Sequence, residues 1–354
     1  MKNKIITITF ISFILFFSVF HILKVDQIIS MTERRYLAKF PEFKFNGEYI
    51  TRVEKYLLDH FPYRDNFRNI KANFNYKILN RLENNDIYLK DNYIFKSNYP
   101  TNKKSINNFI KQTQKIENLL TENNKTYMMI IPDKNYYLED EKFLQIDYNY
   151  IYNELKNIKA SFIDIREIMK LQDYYETDTH WKQENLLKVV NKMNEVMNFD
   201  YQELTYEKKC YERFYGVYYG ESAMKRVPEQ LCYLTNNIIE KVNVSYLENK
   251  NLTTVYNTEN LYGLDSYEVY LDGASAFIEI NNKEHLEEKE LVVFRDSFGS
   301  SIIPLLIPYY SKITIIDNRY INSDYFFKFI NFDKEDILFL YSTLIVNESS
   351  TLKG

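Results

Sequence analysis

Glycine and proline are scarce in this chain, seven of each in 354 residues. That scarcity excludes Gly-rich repeats and Pro- or Gly-rich linkers, and it makes each Gly and Pro the mark of a particular turn. Cysteine is limited to Cys210 and Cys232, neither in a Cys-x-x-Cys or Cys/His setting, so no metal site is expected and no cofactor motif stands out. The two thiols are open between a disulfide closing a loop of about twenty residues, worth ~3 kcal/mol in the chain-entropy model, and two separate side chains. A basic surplus is also missing. The formal charge is −4 and the lysines are spread along the chain, which argues against nucleic acid as a partner. Histidine occurs four times and tryptophan once, so each can be judged singly. Aromatics are what the chain does have: 17% of residues, with 33 Tyr and 25 Phe. Tyrosine-rich surfaces suit carbohydrate, a ring stacking on a sugar face while its hydroxyl bonds outward; a biased genome composition gives the same numbers.

The first segment sets the compartment. Ile5–Leu23 (IITITFISFILFFSVFHIL) contains no acid, Lys or Arg. As a helix its nineteen residues span roughly 28 Å, close to the ~30 Å hydrocarbon core of a bilayer. Lys2 and Lys4 precede it, favouring a cytoplasmic N-terminus, although Lys24, Arg34 and Arg35 follow it. No small-residue cleavage site follows, so a retained signal anchor is expected, attaching the protein to the cell membrane by a single pass with the rest of the chain extracytoplasmic. The expected organisation is residues 1–25 as cytoplasmic tip and anchor, 26–100 as a juxtamembrane and helical part, and 101–354 as an α/β domain.

Helical spacing of apolar residues runs from Glu48 to about Asp59 and stops at Phe61-Pro62; a second helix is expected from Asp65. The alternating run 86–95 turns at Asp91-Asn92 as a β-hairpin. A helix over 104–122, a buried strand over 126–132, a helix near 149–158, a short strand over 161–165 and a helix from Lys182 to Met197 follow. Residues 200–280 carry short strand-like runs and read as a β-rich insertion. Then come strands at 290–294, 312–317 and 336–341, with helices expected over 299–310 and about 323–330. Strands alternating with helices predict a parallel sheet with helices on its faces.

Of the histidines, His21 lies in the apolar segment and His285 in a charged stretch, and His60 ends a helix where Asp59 diverges from it. His180 remains, in YYETDTHWKQE (residues 174–184) beside Trp181, the one tryptophan. In an extended segment Asp178 and His180 point to one side, so the carboxylate is placed to accept the imidazole Nδ1–H; the competing reading makes Asp178 a cap of the next helix. A nucleophile for such a base belongs at the carboxyl end of a strand. LVVFRDSFGSS supplies it: strand Leu291–Phe294, then Asp296-Ser297, with Gly299 opening a helix. The backbone N–H of Ser297 is there a natural oxyanion donor. Ser300 and Ser301 are rivals further into the helix.

RDSFGSS resembles the nucleophile block of the SGNH hydrolases, with Arg295 where that family has Gly, and TDTHW resembles the Asp-x-His-Trp motif of the AlgX/AlgJ-type alginate O-acetyltransferases. Taken whole, the chain resembles the DHHW family of bacterial surface proteins. The apolar anchor, FPEF, VEKYLLDHFPYRD, IPDKNYY, YYETDTHW, FYGVYYGES, VVFRDSFGSSIIPLLIPYY, ITIIDNRY and DILFLYS carry that likeness. Thr179 stands where the DHHW name expects His. The resemblance implies an SGNH-hydrolase-like α/β fold in permuted motif order, the Asp–His pair preceding the Ser, behind an N-terminal transmembrane helix. It implies Ser297 as nucleophile, His180 as general base and Asp178 as its orienter. The usual Gly-x-Asn-Asp block is missing and its donors have no unambiguous match; Gly273 in YLDGAS is the candidate second oxyanion donor. Arg319, Tyr215 and Trp181 are candidate substrate-side groups, with a structural reading open beside it for Arg319, pairing with Asp317, and for Tyr215, packing. The implied activity is O-acetylation of an exported or cell-surface polysaccharide, with a membrane-bound O-acyltransferase as acetyl supplier. An acetylesterase using the same residues, or a non-catalytic glycan-binding protein, are the alternatives.

Overall fold

Three of the apolar runs read as strands have no polar alternation, and all three become inner strands of one sheet. The computed structural model describes residues 2–322, 325, 330 and 332–353; the helical stretch expected over about 323–330 falls almost entirely outside them. Seven strands form the sheet: β1 Lys125–Ile131, β2 Ser161–Phe162, β3 Asn243–Tyr246, β4 Phe277–Asn281, β5 Glu290–Arg295, β6 Lys312–Ile316 and β7 Asp336–Ser342. Their spatial order is β3-β4-β6-β5-β7-β1-β2. From β6 to β2 neighbours are parallel, in register through Phe294↔Ile316, Phe294↔Phe339 and Phe339↔Met128.

Period-two alternation divides the inner strands between two cores. Met129, Ile131, Leu291, Val293, Leu338 and Leu340 face one cluster; Met128, Ile130, Val292, Phe294, Ile337 and Phe339 face the other. The first is covered by Val189, Val190 and Met193 of the helix Leu187–Met197 and by the segment after β5. The second is covered by Ile106 and Phe109 of Lys103–Glu117 and by Ile151 and Leu155 of Tyr148–Leu155. Burial on both faces explains why these strands read as continuous apolar runs.

The structure departs from the sequence reading at definite places. The sheet is mixed, not wholly parallel: β3 pairs antiparallel with β4, and β4 antiparallel with β6. Residues 200–280 are therefore not a separate insertion, because β3 and β4 complete an edge of the main sheet. The rest of that stretch contains an antiparallel hairpin, Glu207–Phe214 with Glu229–Thr235. The helix expected over 299–310 is one α-helical stretch, Gly299–Ile302, continued as a 3₁₀ segment to Tyr309, since Pro304 and Pro308 have no N–H to donate. The helix from Lys182 likewise begins as a 3₁₀ turn and is α-helical from Leu187.

Cys210 and Cys232 are opposite each other in the hairpin and are joined as a disulfide. Of the two readings left open by the sequence, this is the bonded one. Maleimide labelling of the denatured chain without reductant is expected to modify neither cysteine, and reduction is expected to lower stability by about 3 kcal/mol. Labelling of both before reduction would exclude the bond.

The chain divides into two compact units: residues 1–87 with 219–226, and residues 88–218 with 227–354. Strand Tyr93–Lys96, which is not part of the seven-stranded sheet, falls in the second unit, where Ile94 donates its N–H to the Glu176 carbonyl. In the first unit, α1 (Lys2–Leu23) contains the one helix stretch among the described residues that is long and apolar enough to cross a membrane, Asn3–Leu23. It is followed by α2 (Gly47–Asp59), capped by the Asn46 side chain, and α3 (Arg64–Asn73). Asp59 takes a two-point bond from the Arg35 guanidinium, which holds its carboxyl down at about 2. His60 is buried with Nε2 2.9 Å from the Ala38 carbonyl, a packing role.

Candidate active site

Parallel strands bring their carboxyl ends to one edge, and there the chemistry gathers. Asp296-Ser297 follow β5, Asp133-Lys134 follow β1, and Ser342-Thr343 close β7. These ends are tied together. Asp296 accepts from the N–H and hydroxyl of Ser342 (2.7 and 2.6 Å) and from the Phe298 N–H (2.9 Å). Asp133 accepts from the Thr343 hydroxyl at 2.9 Å. From Leu291 to Ser300 every residue is buried except Ser297. Its N–H meets no acceptor among the described residues, leaving a backbone donor beside a half-exposed hydroxyl.

The segment 173–182 crosses in front of this edge as a closed loop. Tyr175 N–H donates to His180 O and Lys182 N–H to Asp173 O. The chain bends from 176 to 180, so Asp178 and His180 are not neighbours on an extended strand. Nor does Asp178 cap the next helical segment, whose cap residue is Lys182. A turn joins the pair: Asp178 Oδ1 accepts the His180 backbone N–H at 3.0 Å and lies 2.6 Å from His180 Nδ1. Its Oδ2 accepts the Val217 N–H at 2.8 Å. These N–H donors compensate a fully buried carboxylate for its lost water. Because the carboxylate accepts, Nδ1 carries the proton, and Nε2 is left as the acceptor. Nε2 lies 2.9 Å from Ser297 Oγ. Asp178, His180 and Ser297, 117 residues apart at the last link, thus form one hydrogen-bonded chain. That geometry lets a serine hydroxyl hand its proton to an oriented imidazole.

Several groups around this chain were not legible in advance. Tyr267 stacks flat on the imidazole, ring centroids 3.8 Å apart at 8°, and donates to Ser301 Oγ. Burial pushes its phenol well above the ordinary range, so it stays neutral, with its ring face available to a cationic imidazolium. Glu229 accepts from the N–H groups of Glu176 and Thr177 and from the Thr177 hydroxyl. Lys134, fully buried, donates to the carbonyls of Tyr175, Glu176 and Asp178. Gly216 is the one signal that scarcity offered. A Cβ there would overlap the Thr177 carbonyl and the Cα and Cβ of Asp178. Gly216→Ala is expected to displace the loop and lower turnover about tenfold, with a stability loss of ~1–3 kcal/mol; unchanged kinetics would show that the loop tolerates the shift.

The remaining expected site residues have other engagements. Gly273 donates its N–H to Tyr270 O and accepts from Arg295 through its carbonyl, so its amide is not available as an oxyanion donor. Arg295, where the SGNH block has Gly, is buried and also reaches Ser300 Oγ at 2.9 Å and Asp317 at 3.7 Å. Arg319 grips Asp317 through Nε and Nη2 at 2.8 and 2.6 Å. Trp181 is buried, its Nε1–H shared between Phe298 O and Ser301 Oγ, which fixes the loop to the serine turn and removes it from substrate contact. Tyr215 is exposed at the start of the Gly216-Val217 turn. Ser300 and Ser301 are buried and bonded within the fold. Among the described residues no group of three or more His, Cys, Asp or Glu is placed to hold a metal ion.

No family model matches this chain, and no curated protein does. Solved structures do. A DHHW family protein from Eubacterium siraeum superposes with a TM-score of 0.63 at 17% identity, over 77% of this chain and 97% of that one. PatB1 of Bacillus cereus, in a structure with a sulfonyl adduct, gives 0.59 at 20% identity over 73% and 97%. A second PatB1 structure gives 0.57 at 20% over 74% and 97%. The chain has the fold of these proteins over nearly their whole length.

Proposed function

We propose that this protein transfers an acetyl group to hydroxyls of an exported or cell-surface polysaccharide through an acetyl-serine on Ser297. The observation that carries the reading is the Asp178–His180–Ser297 chain, with links of 2.6 and 2.9 Å, at the carboxyl edge of the sheet. The resemblance of TDTHW and RDSFGSS to acetyltransferase and SGNH motifs supports the acyl chemistry, and the fold shared with a protein that holds a sulfonyl adduct fits a reactive centre. His180 Nε2 takes the Ser297 proton as Oγ attacks the acetyl carbonyl. The donor's acyl bond breaks, and its leaving group departs with the proton from the imidazolium. A sugar hydroxyl then gives its proton to Nε2, attacks the ester carbonyl and releases Ser297, which regains the proton. The unengaged Ser297 N–H is the oxyanion donor in both steps. With α1 as a single-pass anchor, the sheet unit lies outside the cytoplasmic membrane. The resemblance to the AlgX/AlgJ-type acetyltransferases supports a membrane-bound O-acyltransferase as the proposed acetyl-supplying partner.

The test is intact mass measurement of the full chain incubated with an acetyl ester, with and without short oligosaccharides. The expected result is a gain of one acetyl group mapped to Ser297, passed on to sugar. An adduct lost only to water would make the protein an esterase. No adduct with any acetyl ester or sulfonyl fluoride would overturn the catalytic reading.

A further inference from the structure

Helix α3 and the π-helical turn that continues it to Ile78 carry their apolar residues outward. Tyr63, Phe67, Ile70, Phe74 and Ile78 recur at steps of four, three, four and four, a single helical stripe. They are 54, 42, 63, 49 and 67% exposed. Leu57 and Phe61 at the end of α2 extend the same exposed surface. Several polar side chains of α3 are engaged with the rest of the first unit, while Asp65 and Asn66 stay exposed. Arg64 and Arg68 pair with Glu33, Arg68 also donates to Gly220 O, and Asn69 donates to Ala223 O, all within the first unit. A helix in water does the reverse, and an apolar stripe of this kind marks a surface with a partner.

What covers it follows from α1. Phe17 stacks on Phe61 at 5.4 Å and meets Phe67 at 5.8 Å, and Phe20 stacks on Tyr63 at 5.5 Å. Phe17 lies six residues before Leu23, roughly 9 Å inside the end of the apolar helix at ~1.5 Å per residue. Residues that pack on Phe17 share its depth. We infer that the stripe Tyr63–Ile78, with Leu57 and Phe61, lies in the interfacial layer of the leaflet from which α1 emerges, its partner being phospholipid. The exposed Lys71 and Lys77 flank the stripe, where ammonium groups meet anionic headgroups. The inference rests on α1 crossing the membrane and is independent of the acyl chemistry.

The experiment uses the full chain in nanodiscs of phosphatidylcholine and phosphatidylglycerol. Single cysteines carry an environment-sensitive fluorophore in Ile70→Cys and Phe74→Cys, with Asp65→Cys on the opposite side of α3 and Phe13→Cys inside α1 as references. The native cysteines are bonded and do not compete. Labels at 70 and 74 are expected to be quenched by a lipid-borne quencher, with iodide quenching reduced about threefold or more from that at 65. Labels at 70 and 74 as open to iodide as that at 65, while 13 stays in lipid, would overturn the stripe and leave the span. Iodide access at 13 would remove the span and the inference with it. Shielding of 70 and 74 from both quenchers would replace lipid with a protein partner.

Discussion

Ser297→Ala is expected to lower acetyl turnover by at least about 10³-fold, to abolish the covalent adduct, and to leave the melting midpoint nearly unchanged. The first two follow from the position of Oγ, 2.9 Å from His180 Nε2 and half-exposed in an otherwise buried run. The third follows because that hydroxyl bonds to His180 and not to the turn that carries it; the Asp296, Ser301 and Ser342 bonds that hold the turn survive its removal. His180→Ala should do similar damage, and the double variant little more, since groups acting as one unit lose their effect together. Asp178→Asn is a sharper probe. An amide has one oxygen to offer where the carboxylate's two accept from His180 Nδ1 and Val217 N. Its NH₂ must then face one of those N–H donors, so either the imidazole tautomer or the loop gives way. Turnover retained in Ser297→Ala would sink the acyl-serine reading outright, because Ser300 and Ser301 are buried and already bonded.

The parts that could be read from sequence are those in which one residue type carries a strong local constraint. A continuous apolar run ending in Asp-Ser-Phe-Gly has few readings, and β5 with Ser297 at its end is one of them. His180 emerged because three other histidines could be set aside. The bend that actually joins Asp178 to His180 was not legible, since i and i+2 suggest extension while the observed pairing needs a side-chain-to-backbone turn. Tyr267 was hidden among 33 tyrosines, and nothing in SYEVY marks a ring that will stack on an imidazole far away in sequence. The edge strands β3 and β4 looked like an insertion because their partners lie on β6 and on each other, not on the adjacent sequence. Gly273 was chosen for being a glycine near a turn; the structure uses its carbonyl and its amide internally. The lysine of IPDK, Lys134, carries no signal of its own in the sequence, because its three carbonyl partners are brought to it only by the folded loop.

That lysine has the second large expected effect. Lys134→Met should lower acetyl transfer about 10²-fold, some 3 kcal/mol of barrier, without touching the reacting groups. Lys134 Nζ donates to Tyr175 O at 3.1 Å, Glu176 O at 3.1 Å and Asp178 O at 2.7 Å. An ammonium has three N–H donors, and these three carbonyls use them all. Methionine keeps the bulk but strands three acceptors in a dry loop, each at a cost of ~1–3 kcal/mol, so the loop relaxes and Asp178 leaves its register. Burial pushes the Lys134 pKa down to about 7, against the upward pull of Asp178, Glu229, Asp133 and Glu176. Two pH effects of opposite sign result. Above about 7 the neutral amine has one donor too few, so wild-type transfer should show an alkaline fall that Lys134→Met lacks. Stability moves the other way. An unfolded lysine titrates near ~10.4, so between about 7 and that value the unfolded chain holds a proton the folded chain does not, and the free energy of unfolding rises with pH. Below about 7 both states are protonated and the dependence disappears. The melting midpoint of the wild type relative to Lys134→Met should therefore climb from pH 7 to 10. A flat difference would mean that the ammonium keeps its ordinary pKa. Equal transfer by the two proteins would mean that Asp178 holds His180 without help from the strand beneath it.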